Sequence, residues 1–442
     1  MIKDDINIQE LQSKLLTLSE RDRNSVWHPF TPQKYMSDPI PIVKAEGLYL
    51  IDENGKRYMD AISSWWVNLH GHAHPYIAKK VYEQALKLEH VIFAGFTHEP
   101  AINLAEGLLG ILPKGFSKIF YSDNGSTATE VGIKMGLQWW WNEKAAISLR
   151  RTRATSQFRN KILAFRNSYH GDTFGAMSVS ERSVFTLAFQ DKLFEVIFVD
   201  PPDSNELLDE VKQLPFDEIA CFIYEPLVQG AGGMNMYNAE GLNSLLKICH
   251  ANNIICIADE VMTGFGRTGK LFASEYCDEK PDIICLSKGL TGGTMALGVT
   301  ACNERIYSAF LTDDKRKTFF HGHSFTANPL ACTAAVASLD LLQIENCKLQ
   351  IELISEINQK FSEQLKALSV QNPRCLGTIL AFELESTDKD YLNNISTILT
   401  EKALSKGIYI RPLGNTVYIM PPYCIKEDEL NRVYEVILEI IQ

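Results

Sequence analysis

The sequence predicts an α/β fold: a large domain with a mainly parallel sheet, and a smaller α+β domain made from both chain ends. Six short, near-continuously apolar runs are typical of strands buried on both faces, as in a parallel sheet. Stretches of helix length separate these runs, as right-handed crossover connections require. At 442 residues, 45% of them hydrophobic, the chain is long enough for more than one domain.

The predicted strands of the large sheet follow one another between residues 118 and 289. They are KIFYSD (118–123), KILAFR (161–166), VIFVD (196–200), CFIYEP (221–226), IICIADE (254–260) and IICLSKG (283–289). In open α/β sheets, ligands bind at the carboxyl ends of the strands, so the residues after each run are functional candidates. These candidates are Asp123 to Ser126, Arg166 to His170, Glu225, Asp259 and Lys288.

The two ends of the chain have a different pattern from the middle. The segment GLYLIDENGKRYMDAIS (47–63) predicts an antiparallel meander around Asn54–Gly55. After a helical region from about residue 330, IYIRPLGNTVYIMPPY (408–423) predicts two short strands around a Gly-Asn turn. We therefore expect an N-terminal segment of the small domain in residues 1–70, the large domain in 71–330, and the rest of the small domain in 331–442.

Composition excludes several classes of function. The net charge of −11 disfavours general binding to nucleic acid or to an anionic membrane. The ten cysteines are scattered, without C-x-x-C pairs or metal-ligand spacing, which indicates buried free thiols in a reducing compartment and no metal site. The acidic N-terminus has no apolar signal core, and no apolar run approaches the ~18 residues of a membrane span. These features predict a cytoplasmic protein.

The stretch DEVMTGFGRTGKLFA (259–273) matches two nucleotide-binding patterns incompletely. A dinucleotide fingerprint lies directly between a strand and a helix, but here DEVMT separates the predicted strand from Gly264, and KLFASE follows the last glycine. A phosphate-binding P-loop requires Ser or Thr after Lys270, where this chain has Leu271. The three glycines of this stretch instead predict an irregular active-site loop that needs positive φ angles.

Asp259 and Lys288 end two successive buried strands, where unlike charges are costly to desolvate unless they are paired or used. A buried ion pair between them is one interpretation. The other is a site for pyridoxal phosphate (PLP), which requires a lysine amine, an acid partner for its pyridine nitrogen and a cup for its phosphate.

The phosphate cup has a candidate in the segment SDNGSTATEVGIKMG (122–136). It places Gly125, Ser126 and Thr127 between a strand and a helix, where free N–H groups and the helix dipole favour an anion. A simple helix cap by Ser126 is the alternative interpretation. Tyr169, which follows the strand at 161–166, is a candidate for stacking on the pyridine ring, although an isolated tyrosine at such a position more often belongs to the core.

The signature DEVMTGFGRTGKLFA, followed by PDIICLSKGLTGG, resembles that of class III aminotransferases, which are PLP enzymes of fold type I. Further motifs resemble the members of this family that convert 8-amino-7-oxononanoate into 7,8-diaminononanoate in biotin synthesis. They are WHPFT (27–31), SSWWVNLHGHAHP (63–75), NSYHGDTFGAMSVS (167–180), EPLVQGAGGM (225–234), HGHSFTANPLAC (321–332) and RPLGNTVYIMPPY (411–423). The resemblance runs from about residue 20 to the C-terminus.

The resemblance implies a role for each matching residue of the cofactor site. It implies that Lys288 binds the cofactor and carries the proton, and that Asp259 pairs with the pyridine nitrogen; with Tyr169 these form the catalytic set. The implied cofactor-binding residues are Gly125, Ser126, Tyr169, Asp259, Lys288, His323 and Ser324. In this family the last two come from the neighbouring subunit, so the resemblance implies a homodimer.

The substrate pocket that the resemblance implies combines aromatic side chains with one arginine. Its residues are Phe30, Trp65, Tyr169, Lys288, Gly322 and Arg411. Arg411 is implied to receive the carboxylate of the oxononanoate. Because donor and acceptor must share one pocket, a flat aromatic wall such as Trp65 suits both. The residues alone would place Trp65 and Trp66 in the core and Arg411 at a strand edge.

The sequence departs from the family pattern at three places. Phe30 stands where tyrosine is common, so a hydroxyl that could order the substrate is missing. S-adenosylmethionine is the expected amino donor, and lysine, used by a minority of these enzymes, is the alternative that Phe30 leaves open. His323–Ser324 stands where Pro–Thr is usual, but serine keeps the hydroxyl, and phosphate binding is expected to survive. The segment ISLRRTRATSQF (147–158) resembles an insertion and predicts an exposed loop without a catalytic role.

Other functions remain open. Aminotransferases acting on ornithine or 4-aminobutyrate, and glutamate-1-semialdehyde aminomutase, use the same cofactor parts, although the tandem tryptophans and RPLGN argue against both. A non-enzymatic binding protein would be favoured by loss of Lys288 or Asp259, and both residues are present.

Overall fold

A computed structural model describes residues 16–148, 159–203, 205–385 and 394–442 of the chain. Its strands are β1 (Ile42–Glu46), β2 (Tyr49–Asp52), β3 (Arg57–Asp60), β4 (Phe116–Ser122), β5 (Lys161–Phe165), β6 (Val196–Val199), β7 (Ile219–Tyr224), β8 (Val228–Gln229), β9 (Asn235–Met236), β10 (Ile255–Asp259), β11 (Ile283–Leu286), β12 (Gly298–Asn303), β13 (Val370–Leu376), β14 (Ile379–Leu384), β15 (Ile408–Tyr409) and β16 (Thr416–Ile419). Of the segment 147–158, predicted to be an inserted loop, the first two residues instead end helix Gly125–Ser148, and residues 149–158 lie outside the described residues.

The described helices surround and connect these strands. They are α1 (Leu18–Ser25), α2 (Pro75–Ala85), α3 (Glu99–Ile111), α4 (Gly125–Ser148), α5 (Phe174–Val179), α6 (Asn205–Val211), α7 (Ala239–Ala251), α8 (Glu304–Ser308), α9 (Pro329–Leu342), α10 (Glu345–Leu365), α11 (Ile395–Ser405) and α12 (Glu427–Ile441). Short 3-10 turns cover Gln33–Tyr35, Leu187–Lys192, Ala273–Tyr276, Lys288–Thr291 and Lys315–Lys317. No helix in the described ranges is long and apolar enough to cross a membrane.

The large sheet has seven strands in the order β4-β12-β11-β10-β7-β5-β6. All six predicted strands belong to it and run in one direction, so the prediction of a mainly parallel sheet is confirmed. The seventh strand, β12, was not predicted and is antiparallel to both β11 and β4. Its sequence, GVTACN, is short and combines apolar with polar residues. The strand is therefore recognisable only from its buried position between two neighbouring strands.

Helix α4 packs against β7, β10, β11 and β12 of the large sheet. The approach is close because two glycines face the strands. A Cβ on Gly132 would lie 3.0 Å from Sγ of Cys285, and one on Gly136 would lie 3.2 Å from Cβ of Cys221. This packing fixes the N-terminus of α4 at the carboxyl edge of the sheet, beside the ends of β10 and β11.

Both ends of the chain meet in one small sheet of order β1-β2-β3-β15. Strands β2 and β3 form the predicted antiparallel meander, and β15 pairs with β3 in parallel. The two strands predicted in 408–423 are present but do not pair with each other, because β16 instead pairs with β14 in a separate sheet of order β13-β14-β16. The division of the chain near residues 70 and 330 stays a prediction.

The glycine-rich loop after β10 is irregular, as predicted, but its three glycines serve different purposes. Gly266 and Gly269 have positive φ angles of 98° and 94°. Gly264 does not, so the prediction of a positive φ angle there is wrong. A Cβ on Gly264 would lie 2.9 Å from the carbonyl oxygen of Glu260. Glycine is therefore needed at this position because there is no space for a side chain.

All ten cysteines are free, and seven of them are buried, as predicted. The buried thiols lie chiefly in the strands of the large sheet and the helices that cover it. They therefore act as small apolar side chains in the core.

The turn between β13 and β14 provides a test of how the C-terminal strands hold the glycine-rich loop. Gly377 has φ +58°, and a Cβ there would lie 2.2 Å from the amide nitrogen of Gly269. Gly55 is a matched control, since its φ is +81° and nothing lies within 4 Å of an added Cβ. We expect Gly55→Ala to lower the unfolding free energy by roughly 1–2 kcal/mol through backbone strain alone. Gly377→Ala should cost about 1–3 kcal/mol more through overpacking.

Chemical denaturation of the two glycine variants, with the midpoint compared at constant slope, measures this difference. Equal losses of stability would show that the turn at Gly377 is not packed against the loop.

Candidate active site

A cavity of about 410 Å³ lies at the carboxyl edge of the large sheet, beside the N-terminus of α4. Its lining includes Gly125, Ser126, Tyr169, His170, Asp259 and Lys288. Five of these six belong to the residues predicted for cofactor binding, and His170 lies within a segment predicted as a functional candidate. The structure therefore brings together residues that are up to 163 positions apart in sequence.

Asp259, the last residue of β10, has a buried carboxylate with two hydrogen-bond donors. Nδ1 of His170 lies 2.7 Å from one carboxylate oxygen, and the amide of Val261 donates to the other at 3.1 Å. Because a carboxylate only accepts hydrogen bonds, the His170 ring carries a proton on Nδ1. The interpretation of Asp259 and Lys288 as an ion pair with each other is wrong, since no ion pair joins them in the described structure.

Lys288 follows β11 and has a positive φ of 44°, an unusual conformation for a residue with a Cβ. Its Nζ lies 4.5 Å from the ring centroid of Trp66. Burial disfavours the ammonium form and lowers the pKa of Lys288 to about 8, although the charges of Asp259 and Glu225 partly oppose this shift. A neutral amine is therefore much more accessible at Lys288 than at an exposed lysine.

Glu225 lies behind the cavity and positions its wall. Its carboxylate accepts hydrogen bonds from the amides of Tyr169, at 3.0 Å, and Gly230, at 2.9 Å. Burial raises the pKa of Glu225 to about 7, a shift that nearby Asp259 increases and His170 opposes. The pKa of Tyr169 is also raised, chiefly by burial and then by Asp172, so its hydroxyl stays protonated at neutral pH.

The N-terminus of α4 presents amides to the cavity. Asn124 caps the helix by accepting a hydrogen bond from the amide of Thr127 at 3.0 Å. Oγ of Ser126 instead accepts from the amide of Asp172 at 3.2 Å, so the interpretation of Ser126 as a simple helix cap is wrong. The amides of Gly125 and Ser126 in this first turn have no intrahelical acceptor, and both residues line the cavity. Such a site favours an anion.

Gly171 is required where the loop after β5 crosses this helix terminus. Its φ is +131°, and a Cβ there would lie 2.1 Å from Oγ of Ser126. Any larger residue would push the two segments apart. Gly171 was not predicted as a site residue, although the NSYHGD motif contains it.

A second cavity of about 290 Å³ adjoins the first and shares Trp66, Tyr169, Ala231 and Lys288 with it. Phe30, Trp65, Phe185 and Leu413 complete most of its wall. The ring of Phe30 lies edge-on to Trp65 at 5.4 Å and to Phe185 at 5.8 Å. Phe185 was not predicted, since it lies outside the recognised motifs and only the tertiary structure brings it here.

Arg411 lies just after β15 and over the ring of Trp65 in this aromatic wall, although it lines neither cavity itself. Its guanidinium carbon is 4.9 Å from the ring centroid of Trp65. No carboxylate of the described residues forms an ion pair with Arg411. A half-buried guanidinium without an acidic partner, next to a cavity, is suited to binding the carboxylate of a ligand.

Besides Arg411, three predicted site residues line neither cavity within the single chain, and these are Gly322, His323 and Ser324. They lie in the loop that precedes α9, with Gly322 and Ser324 exposed. Nδ1 of His323 accepts a hydrogen bond from the amide of Phe325 at 3.2 Å, and the amide of His323 donates to Thr326. The described chain alone therefore does not bring this loop to Gly125 and Ser126.

The lowered pKa of Lys288 gives a measurable pH dependence. Only the neutral amine reacts with a small acylating reagent, so labelling of Lys288 in the apoprotein should increase with pH around a midpoint near 8. Exposed lysines should show a midpoint near the ordinary ~10.4. Asp259→Asn removes a charge that stabilises the ammonium, and the midpoint should fall further.

Mass spectrometry of the labelled peptides measures all lysines in one sample. A midpoint for Lys288 equal to that of the exposed lysines would contradict its desolvated environment.

Comparisons with known proteins agree with this geometry. The family described as "Aminotransferase class-III" matches residues 30–441. A relative from Synechococcus elongatus, named adenosylmethionine-8-amino-7-oxononanoate aminotransferase, is 44% identical over 94% of this chain and 98% of its own length. A relative of the same name from Helicobacter pylori is 38% identical, over 96% of this chain and 97% of its own length.

Solved structures agree as well. An enzyme with that name from Methanocaldococcus jannaschii superimposes with a TM-score of 0.89 and 36% identity, over 98% of this chain and 99% of that one. An amine transaminase from an uncultivated Pseudomonas species, solved in its PLP-bound form, superimposes with a TM-score of 0.84 and 28% identity, over 94% and 98%. The chain therefore belongs to the class III aminotransferase family.

Proposed function

We propose that this protein is a PLP-dependent aminotransferase that converts 8-amino-7-oxononanoate into 7,8-diaminononanoate in biotin synthesis. The observation that carries the proposal is the convergence of Lys288, Asp259 and the N-terminus of α4 in one cavity. The names of the relatives from Synechococcus elongatus and Methanocaldococcus jannaschii support the choice of substrate.

The residues around the cavity fit PLP by their chemistry. The amides of Gly125 and Ser126 at the start of α4 suit its phosphate. The buried carboxylate of Asp259 suits a protonated pyridine nitrogen, and Lys288 offers an amine with a pKa of about 8. When bound, PLP supplies a ring that withdraws electrons from the carbon bearing the transferred amino group.

Lys288 then serves as the group that takes up and returns a proton. A general base is most effective when its pKa is near the working pH, and desolvation moves the pKa of Lys288 in that direction. The carboxylate of Asp259 is held in one orientation because His170 and the amide of Val261 donate hydrogen bonds to its two oxygens. Tyr169 supplies part of the wall that both cavities share.

The aromatic cavity supports S-adenosylmethionine as the amino donor. Phe30, Trp65, Tyr169 and Phe185 present ring faces and edges, which can contact a purine or a sulfonium cation without specific hydrogen bonds. The same walls accept the aliphatic chain of the oxononanoate. Lysine as donor is the alternative, because Phe30 lacks the hydroxyl that is common at this position.

We further propose that the protein works as a homodimer in the cytoplasm. Gly322, His323 and Ser324 lie outside both cavities of their own chain, which is consistent with a loop that completes the phosphate cup of a second subunit. A serine hydroxyl and adjacent amides are suitable donors to phosphate. Ten free cysteines favour a reducing compartment.

The proposed reaction is tested by mass spectrometry of the products. Purified protein is loaded with PLP, supplied with 8-amino-7-oxononanoate, and given either S-adenosylmethionine or lysine. We expect diaminononanoate with S-adenosylmethionine and none with the Lys288→Ala variant. Absence of product with both donors from a cofactor-loaded protein would contradict the proposal, whereas product with lysine alone would change only the donor.

Arg411→Ala should selectively weaken binding of the oxononanoate. Loss of a charge-assisted hydrogen bond worth roughly 1.5–3 kcal/mol predicts a rise in KM of about tenfold to a hundredfold. Arg411→Lys should recover part of the loss, because it keeps the charge but not the planar pair of donors.

Arg57→Ala is the matched control for Arg411→Ala. Arg57 also lies over an aromatic ring, 4.0 Å from the centroid of Tyr49, but Tyr49, unlike Trp65, lines neither cavity. Arg57→Ala should leave the KM for the oxononanoate unchanged. Steady-state kinetics with each substrate varied decides the outcome, and equal losses for donor and acceptor would contradict a carboxylate-binding role for Arg411.

A further inference from the structure

Four consecutive residues beside the cavities form a left-handed turn. Ser63, Ser64, Trp65 and Trp66 have φ angles of 53°, 45°, 74° and 74°. The turn is hydrogen-bonded, since the amide of Trp66 donates to the carbonyl of Ile62 at 2.9 Å. Left-handed backbone is disfavoured for residues with a Cβ and persists only where the surroundings hold it.

The carboxylate of Asp60, the last residue of β3, holds this turn from inside the small sheet, beside the hydrogen bond from Oγ of Ser63 to the carbonyl of Met420 at 2.8 Å. Asp60 is fully buried. One of its oxygens accepts from Oγ of Ser64 at 2.7 Å and from Nε2 of His72 at 2.8 Å, and the other accepts from the amide of Ile62 at 3.3 Å. Nδ2 of Asn68 lies 3.1 Å from Nδ1 of His72, which places a ring proton on Nε2, toward Asp60.

The turn points two neighbouring indoles at two different functional groups. Trp65 contacts Phe30 and stacks with Arg411, whereas Trp66 lies over Nζ of Lys288. If the backbone relaxed to the right-handed region, both side chains would leave these directions. The geometry of the pocket therefore depends on a disfavoured backbone conformation.

We infer that Asp60 is a positioning residue that acts through the left-handed turn. Its bonds to Ser64 and Ile62 hold the turn, and the turn places Trp65 and Trp66 against the substrate. Its bond to His72 fixes the orientation of the carboxylate. The identity of the substrate rests on the proposed function, but the dependence of the turn on Asp60 does not.

The test compares Asp60→Asn with Asp52→Asn. Asp52 is a matched control because it is also buried in the small sheet and accepts two amide and one hydroxyl hydrogen bonds, from Asn54, Lys56 and Tyr58, without contacting the turn. In Asp60→Asn one of the two oxygens becomes an NH2 group, which cannot accept a hydrogen bond. This group would face the amide of Ile62 in one orientation of the side chain, and Ser64 and His72 in the other. We expect the near-ultraviolet circular dichroism of its tryptophans to change even in the apoprotein, and KM for the oxononanoate to rise about tenfold, which corresponds to loss of one such interaction.

Two further readouts separate positioning from general destabilisation. The affinity of the apoprotein for PLP should change less than KM for the oxononanoate does in Asp60→Asn, because Gly125, Ser126 and Asp259 are untouched and only Trp66 of the cofactor cavity belongs to the turn. Asp52→Asn should lower the melting temperature and leave the tryptophan signal and KM unchanged. Equal KM values for Asp60→Asn and Asp52→Asn, or an unchanged tryptophan signal in the former, would overturn the inference.

Ser64→Ala covers the case in which Asp60→Asn does not fold. It removes one bond to the turn and keeps the contact between Asp60 and His72, so a smaller change in the same direction is expected. An unchanged tryptophan signal in Ser64→Ala would then overturn the inference. If the unmodified protein had no aminotransferase activity, the circular dichroism of the apoprotein would still test the hold of Asp60 on the turn.

Discussion

The burial of carboxylates at the carboxyl edge of the large sheet is the constraint on which the site depends. A buried charge is tolerated only when hydrogen bonds replace its water. Asp259 is satisfied by His170 and a backbone amide, and Glu225 by the amides of Tyr169 and Gly230. These bonds hold the loops after β5, β7 and β10 together, and the same desolvation lowers the pKa of Lys288. Desolvation at this edge of the sheet is therefore the common reason for the hydrogen bonds that join the loops and for the lowered pKa of Lys288.

The small sheet extends this arrangement to the substrate side. Arg267, fully buried, donates to the carbonyls of Trp66, Asn68 and Pro421, and so joins the glycine-rich loop to both ends of the chain. The amide of Met420 donates to the carbonyl of Ala61. The left-handed turn and the segment after β16 are consequently joined by hydrogen bonds. This explains how residues from the N-terminal and C-terminal segments contribute to a single pocket.

Much of this arrangement was predictable because strong local signals were present. The apolar runs that give β7, β10 and β11 are continuous, and polar residues at their ends marked the site. The positions of Phe185 and of the Asp60 carboxylate were not predictable, because they depend on contacts between distant segments. The left-handed conformation of Ser63 to Trp66 was also hidden, since none of its residues is a glycine. The loop at His323 was assigned only by resemblance, and the single chain leaves it apart from the cavities.

The most direct test of the account is the visible absorption spectrum of the PLP-loaded protein while S-adenosylmethionine and lysine are added separately. The account predicts an absorption band from cofactor bound to Lys288, and loss of this band when S-adenosylmethionine donates its amino group. Loss with lysine alone would keep the site and change the donor. Absence of the band after addition of PLP, or a band that neither amine changes, would contradict the assignment of this cavity to amino-group transfer.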